Sequence, residues 1–374
     1  MSEHLTADEL TAWVEIDRGA LAHNLGQVRS LVGPEVRLLA VVKANAYGHG
    51  AVAASRAFLE AGADFLGVTR VEEALELRDA GITAPILVFG AALPHQAGAV
   101  LAHQLSQTVC TLEAARALSA AAQETGRTAA VHLKIDTGMG RLGIRPDEAL
   151  EFVRALRALP GIRLEGIYTH FATALERERA FMQRQLRAFL RVTAAIEKAG
   201  LGRPLLHAAN SAALLRAEVA HLDMVRPGTV LYGQYPAPHL PRRLDLRPTW
   251  RLKSRVAFVK QVQRGEAIGY GRDYVARAPL TVATIPVGYC DGLTLTSVRT
   301  ARSARELLRV LRDFGRRGRG GVQIRGKQAP FVGRVAMQMC CVDVTHIPDV
   351  QVGDEVILPA RFTLTDSRLP RVYR

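Results

Sequence analysis

The chain has 374 residues, long for one compact domain and enough for a large domain with a smaller one. Hydrophobic residues make up 48% and charged residues 22%, which excludes a disordered or fibrous chain. A net charge of +14 would suit nucleic acid or an anionic surface, but the basic residues are scattered and no reading motif accompanies them.

No apolar run is long enough to span a bilayer, and the first residues, MSEHLTADEL, are polar and acidic, unlike a signal peptide. Cys110, Cys290, Cys340 and Cys341 form neither a CxxC pair nor a metal-like spacing, so reduced thiols and no metal are expected. These features predict a cytoplasmic protein with no nucleic-acid or membrane partner.

From residue 37 to 232 one pattern repeats: a short apolar, β-rich run, then an Ala/Leu/Arg stretch of helical period. The runs are RLLAVV (37–42), DFLGV (64–68), PILVF (85–89), SQTVC (106–110), AVHLKI (130–135), RLEGIYTH (163–170), PLLHAA (204–209), and DMVR with TVLY (223–232). Several helical stretches between them end in Gly, as helix C-caps often do. Eight such units predict a parallel sheet closed into a (β/α)8 barrel, with an open doubly wound sheet as the alternative. YPAPHLPRRLDLRP (235–248) is proline-rich and reads as a linker. Beyond it, alternating runs such as TWRLKSRVAFVKQV, LTVATIPVGY and VQVGDEVILPA predict an all-β domain, interrupted by an inserted helical stretch within 297–320. The expected domains are a barrel over 12–240 and a β domain over 241–374, joined by residues 1–11.

Lys43 stands where the apolar strand LLAVV gives way to the polar turn KANAYGHG. Burying an unpaired ammonium is costly, so such a lysine either snorkels to solvent or serves a purpose. A barrel's C-terminal strand ends host its active site, which is where a Schiff-base lysine would be placed. Asn210 and Ser211 in HAANSAALLR, at a strand-to-helix turn, suit either a simple N-cap or a phosphate.

The segment AVVKANAYGHG resembles the cofactor-lysine motif of the alanine racemase family, and the likeness extends over nearly every barrel segment and most of the β domain. The resemblance implies a pyridoxal 5'-phosphate (PLP) barrel of fold type III with a β domain, assembled as a homodimer with active sites shared across the interface. It implies interconversion of L- and D-alanine, supplying D-alanine for peptidoglycan. Lys43 would then carry the cofactor covalently and act as one catalytic base, and Tyr270 in AIGYGRDY would act as the second from the other subunit. In VHLKIDTGMGRLG, Arg141 would meet the substrate and the cofactor's phenolic oxygen. Lys134 would be either carbamylated, giving Arg141 an anionic partner, or an ordinary interior cation. His170 in YTHFATA matches the histidine that holds the arginine facing the cofactor ring. In VRPGTVLYG that arginine is Arg226, which cannot accept a proton and so leaves the ring nitrogen unprotonated. Gly228 and Thr229 complete the phosphate cradle with Asn210 and Ser211, and Tyr47 and Tyr232 add hydroxyls. Tyr289 in PVGYCDG and Met337 in GRVAMQM would border a small substrate pocket, with Arg334 at its entrance.

The chain departs from the family at Gln338, at Leu175 and at Ser367, where an acidic residue, an acidic residue and a phosphate-binding tyrosine are usual. These departures fall on the entrance and the phosphate contacts. A racemase of broadened specificity, accepting serine or another small amino acid, therefore stays open. A fold-type III decarboxylase and a PLP-binding protein without robust catalysis also stay open, although the first has different motifs and the second lacks the β domain and its tyrosine.

Overall fold

A computed structural model describes residue 6 and residues 8–91, 93–293 and 320–374. The insertion expected within 297–320 lies outside these residues except for Gly320. The chain divides into two units: Arg18–Thr249, and Met1–Asp17 with Trp250–Arg374.

In the first unit the apolar runs form the strands that their composition predicts. After β1 (Ala12–Ile16), which belongs to the other unit, come β2 (Arg37–Val41), β3 (Phe65–Val68), β4 (Ile86–Ala91) and β5 (Ser106–Val109). β6 (Ala129–Lys134), β7 (Ile162–Tyr168), β8 (Leu205–His207) and β9 (Met224–Val225) follow. All neighbours are parallel, in the order β8-β7-β6-β5-β4-β3-β2-β9. The ends of this sheet meet where the Asp223 amide donates to the Leu206 carbonyl at 3.0 Å and the Arg226 amide to the Ala209 carbonyl at 2.9 Å. Eight parallel strands thus make a nearly closed barrel, and the open-sheet alternative is set aside.

Parallel strands packed on both faces should be apolar throughout rather than alternating, and the four residues of β3 are all buried. The helices between strands end as their sequences predict. Leu112–Thr125, for example, is capped by the Thr111 hydroxyl, which accepts from the Ala114 amide, and closed by Gly126 in the left-handed region (φ +62°). The run TVLY (229–232) is a 3₁₀ turn rather than strand.

The second unit is all β. Its largest sheet contains β1, β10 (Trp250–Arg255), β15 (Gly321–Ile324), β16 (Lys327–Pro330), β18 (Glu355–Leu358) and β19 (Arg371–Tyr373). A three-stranded sheet joins β11 (Phe258–Val262), β14 (Leu280–Ile285) and β17 (Cys340–Asp343), and a hairpin joins β12 (Ala267–Ile268) to β13 (Tyr274–Val275). The boundaries differ from those read in the sequence. Ala12–Ile16 pairs antiparallel with β10 and parallel with β19, so it leaves the barrel, and the linker stays with the barrel up to Thr249. The reason is a pairing partner more than two hundred residues away, which no local pattern announces.

Among the described residues no helix is long and apolar enough to cross a membrane, and no group of three metal-ligating side chains is gathered.

Candidate active site

A cavity of about 620 Å3 opens at the C-terminal ends of the barrel strands, where this architecture places its chemistry. It is lined by Lys43, Tyr47, Lys134, Arg141, His170, Asn210, Ser211, Arg226, Gly228 and Thr229, nine of them site residues expected from the sequence and the tenth, Lys134, the candidate for carbamylation. Tyr232 stands behind Tyr47, with ring centroids 4.7 Å apart, and its hydroxyl donates to the Val41 carbonyl at 2.9 Å.

Lys43 follows β2 after one residue, Val42, and the next turn is unusual. Ala44, Asn45, Ala46 and Tyr47 all have φ between +50° and +55°, a full turn of left-handed helix made without glycine. Each such residue costs roughly 1–2 kcal/mol against the right-handed form. The surroundings over-determine it. The Glu73 carboxylate accepts from the Ala44 amide at 2.6 Å and from the Thr69 and Arg70 amides at 2.7 and 3.0 Å. The Asn45 carboxamide accepts from the Ala51 amide at 2.7 Å, locking the exit. Strain held in this way is typical of functional sites, and here it fixes where Lys43 leaves the backbone. Burial pushes the Lys43 ammonium below its ordinary range, helped by Arg141 and opposed by Glu73.

The cavity lining carries four cations, Lys43, Lys134, Arg141 and Arg226, and no carboxylate. Lys134 is 4% exposed, its amine 5.5 Å from the Tyr168 ring centre, and burial followed by Arg141 and Arg226 brings its pKa down to about 8. Burial lowers Arg226 to about 10, still far above neutrality, so it remains a cation. His170 is pushed down to about 3 by burial and then by the neighbouring cations, so it is a neutral imidazole at physiological pH. Burial raises the Tyr47 hydroxyl to about 12, which keeps it a donor, and it bonds to no described residue.

At the other side of the cavity the Ser211 hydroxyl accepts from the Gly228 amide at 2.9 Å, while the Asn210 carboxamide caps Ala212 and Ala213. Gly228 is required by space: a Cβ there would stand 2.5 Å from the Tyr47 hydroxyl. A concave, cationic, carboxylate-free site with a hydroxyl-and-amide cradle at one end and an amine at the other fits pyridoxal phosphate and an amino-acid carboxylate together. If this end holds the cofactor's phosphate, Gly228→Ala is expected to weaken cofactor affinity at least tenfold by forcing Tyr47 aside, at a stability cost of about 1–3 kcal/mol. Equilibrium dialysis with the cofactor and thermal melting check it.

His170 and Arg226 approach only to 3.5 Å, a marginal hydrogen bond. The close imidazole is His207, whose Nδ1 lies 2.8 Å from an Arg226 amino group. Sequence reasoning passed over it, although its place as the last residue of β8 and the first of the HAAN segment marks an inward-facing strand terminus.

The remaining expected residues lie in the β unit. Tyr270 is 74% exposed, in a turn between β12 and β13. Tyr289 and Met337 are brought together on adjoining segments, the Tyr289 amide donating to the Ala336 carbonyl at 3.1 Å and the Cys290 amide to the Met337 carbonyl at 3.0 Å. Arg334 pairs with Asp273 at 2.6 Å beside Gly271, so it shares the Tyr270 turn.

Comparison with known proteins gives the family. A curated alanine racemase from Desulfovibrio desulfuricans is 43% identical over 346 residues, which cover 92% of this chain and 88% of that protein. One from Desulforamulus reducens is 42% identical over 382 residues, covering 96% and 98%. The solved structure of an alanine racemase from Clostridium difficile 630 matches with a TM-score of 0.88 at 33% identity, covering 98% of this chain and 96% of that one. The enzyme of a D-cycloserine-producing Streptomyces lavendulae matches with a TM-score of 0.86 at 34% identity, covering 100% and 98%. Residues 16–236 match the alanine racemase N-terminal domain and residues 249–367 the C-terminal domain, so the chain belongs to the alanine racemase family.

Proposed function

We propose that the chain interconverts L- and D-alanine with pyridoxal 5'-phosphate held by Lys43, in a homodimer whose two sites are each completed by the partner's Tyr270. The observation that carries this is the cavity itself: a depressed amine at a barrel strand end, three further cations and no carboxylate. When bound, the cofactor supplies the electron sink that makes the substrate's α-hydrogen acidic.

Each residue's part follows from its chemistry. Lys43, its ammonium destabilised by burial, is ready to act as nucleophile and then as base on one face of the substrate. Tyr47, Asn210, Ser211, Gly228, Thr229 and Tyr232 form the phosphate end, with Tyr47 the hydroxyl left unspent and Tyr232 supporting it from behind. Arg226 would hold the cofactor's ring nitrogen by donating to it without yielding a proton, which would limit electron withdrawal to what one proton exchange needs. Arg141 orients the substrate carboxylate. His170, neutral and 3.5 Å from Arg226, would link Arg226 to the second base. Inversion requires an acid/base group on the opposite face, and the exposed Tyr270 of the partner supplies it, with Tyr289 and Met337 limiting the space for the substrate side chain.

Purified protein loaded with PLP is expected to form D-alanine from L-alanine faster than D-serine from L-serine. Leu175, 47% exposed at the cavity mouth, favours a secondary serine activity because it leaves the entrance without a carboxylate. Release of carbon dioxide with no D-alanine would overturn the proposal.

Lys134 has the properties of a carbamylation site. Its pKa of about 8 leaves part of the amine unprotonated near neutrality, and three cations with no lining carboxylate favour an added negative charge. Carbon dioxide adds to the amine nitrogen, one proton goes to solvent, and the carbamate pairs with Arg141. The 13C-NMR carbamate signal in labelled bicarbonate is expected to grow as pH rises through about 8 and to be absent in Lys134→Arg. An unmodified intact mass with no such signal would rule it out.

A further inference from the structure

Arg226 is 4% exposed and no described carboxylate touches it. Its amino groups donate to the carbonyls of Thr169 at 2.8 Å and Ala208 at 3.1 Å, and to His207 Nδ1 at 2.8 Å. The bonding continues below. His207 Nε2 lies 2.9 Å from His132 Nδ1, and His132 Nε2 lies 3.1 Å from the Glu165 carboxylate, which also accepts from the Ser106 hydroxyl and, through its other oxygen, from exposed Arg163 at 3.1 Å. Both imidazoles are fully buried.

Only one proton arrangement satisfies every link. Arginine donates only, so His207 Nδ1 must be a lone pair and its proton must sit on Nε2. His132 Nδ1 must then accept, its proton sits on Nε2, and the chain ends on a carboxylate that accepts only. Moving any proton sets two donors, or two lone pairs, face to face. Burial holds both histidines below their ordinary range, which keeps them neutral. Burial alone would raise the Glu165 carboxyl, but the bonds from His132 and Ser106 outweigh it and bring it to about 2.

The backbone is shaped for this chain. The β6–β7 register pairs Val131 with Leu164 but His132 with Gly166, leaving Glu165 as an extra, unpaired residue. Such a bulge re-aims a side chain. At Gly166 a Cβ would lie 2.3 Å from His132 Nδ1, so a side chain there would displace the ring. Tyr168 stacks on His207 at 4.8 Å and 7°, fixing its plane.

We propose that Glu165, His132 and His207 are positioning residues that hold Arg226 in one orientation, lending it through two neutral imidazoles the charge of a carboxylate that never touches it. This rests on the reading that Arg226 faces the cofactor's ring nitrogen. A buried cation needs an anion, yet an anion beside the ring would compete for Arg226's outward N–H groups. Placing the carboxylate two imidazoles away meets the first need and avoids the second.

The test uses full-length protein with 15N-labelled histidine. In the wild-type apoprotein at pH 7, His132 and His207 are expected to be neutral with their protons on Nε2. A proton on Nδ1 of either ring, or a cationic ring, overturns the proposal. Glu165→Ala removes the terminal acceptor, and is expected to mix the tautomers of both rings and lower kcat about tenfold with KM for alanine within about twofold. Glu165→Gln, whose amide oxygen still accepts from His132, is expected to keep the tautomers and lose less of kcat. Unchanged imidazole resonances in Glu165→Ala, or an unchanged kcat, also overturns it. Should Glu165→Ala not fold, the wild-type spectrum still decides. An inactive wild-type holoenzyme would defeat the reading of the site and leave the tautomer result standing, because that experiment needs neither cofactor nor substrate.

Discussion

Lys43→Ala is expected to lower racemisation by about 10⁴-fold or more, because in the proposed function one substitution removes both the covalent hold on the cofactor and one of two proton-transfer groups. The fold should survive. A lysine whose pKa is lowered by burial carries a folding penalty wherever the unfolded chain would be protonated, which includes neutral pH. Removing it is therefore expected to leave the melting temperature unchanged or raised. Loss of D-alanine formation together with a lower melting temperature would instead mean that Lys43 is structural, its turn collapsing without it. The stereospecific assay and a thermal melt of the same preparation distinguish the two.

Tyr270→Phe is expected to cost roughly 10²–10⁴-fold, the contribution of one positioned acid/base group. Its signature is more informative than its size. The two enantiomers have equal free energy, so the variant must slow both directions alike and rates alone cannot show which face was lost. Exchange can. With Lys43 intact, one enantiomer should still trade its α-hydrogen for solvent deuterium without inverting, while the other should do neither. Equal exchange from both enantiomers would place the second base elsewhere. Mixing Lys43→Ala with Tyr270→Phe protein tests the shared site. In a mixed dimer one site keeps both groups, so subunit exchange should restore roughly a quarter of full activity from two inactive proteins. No recovery after demonstrated exchange would contradict the partner's role.

The barrel was legible because each strand is a short apolar run and each helix an Ala/Leu/Arg stretch, two periods that do not resemble each other. Lys43, Asn210 and Ser211 were legible because polar residues directly after apolar strands land at the barrel mouth, whereas Tyr47, Arg141, His170, Arg226, Gly228 and Thr229 were legible only through the likeness of their motifs to the family; all nine line the cavity. Three things were hidden. Ala12–Ile16 looks like the first strand of whichever unit follows it, and only its distant partners decide otherwise. The left-handed turn at 44–47 contains none of the glycines that usually announce positive φ, because it is imposed by Glu73 and Asn45 rather than preferred locally. His132, Glu165 and His207 are scattered over three strands, and the bulge at Glu165 breaks the alternation that would have shown which side chains face inward. Contacts made by register, not by spacing, leave no local trace.

Two amines line the cavity, Lys43 and Lys134, and both have depressed pKa values, so the cofactor's attachment point is a real choice. The left-handed turn delivers Lys43 from the strand end beside the Tyr47 and Gly228 cradle, whereas Lys134 ends β6, its amine 5.5 Å from the Tyr168 ring centre. Borohydride reduction of the cofactor-loaded protein, followed by peptide mass mapping, reads that choice directly. The adduct is expected on the peptide containing Lys43 and on no other; an adduct on Lys134, or none at all, would contradict the account.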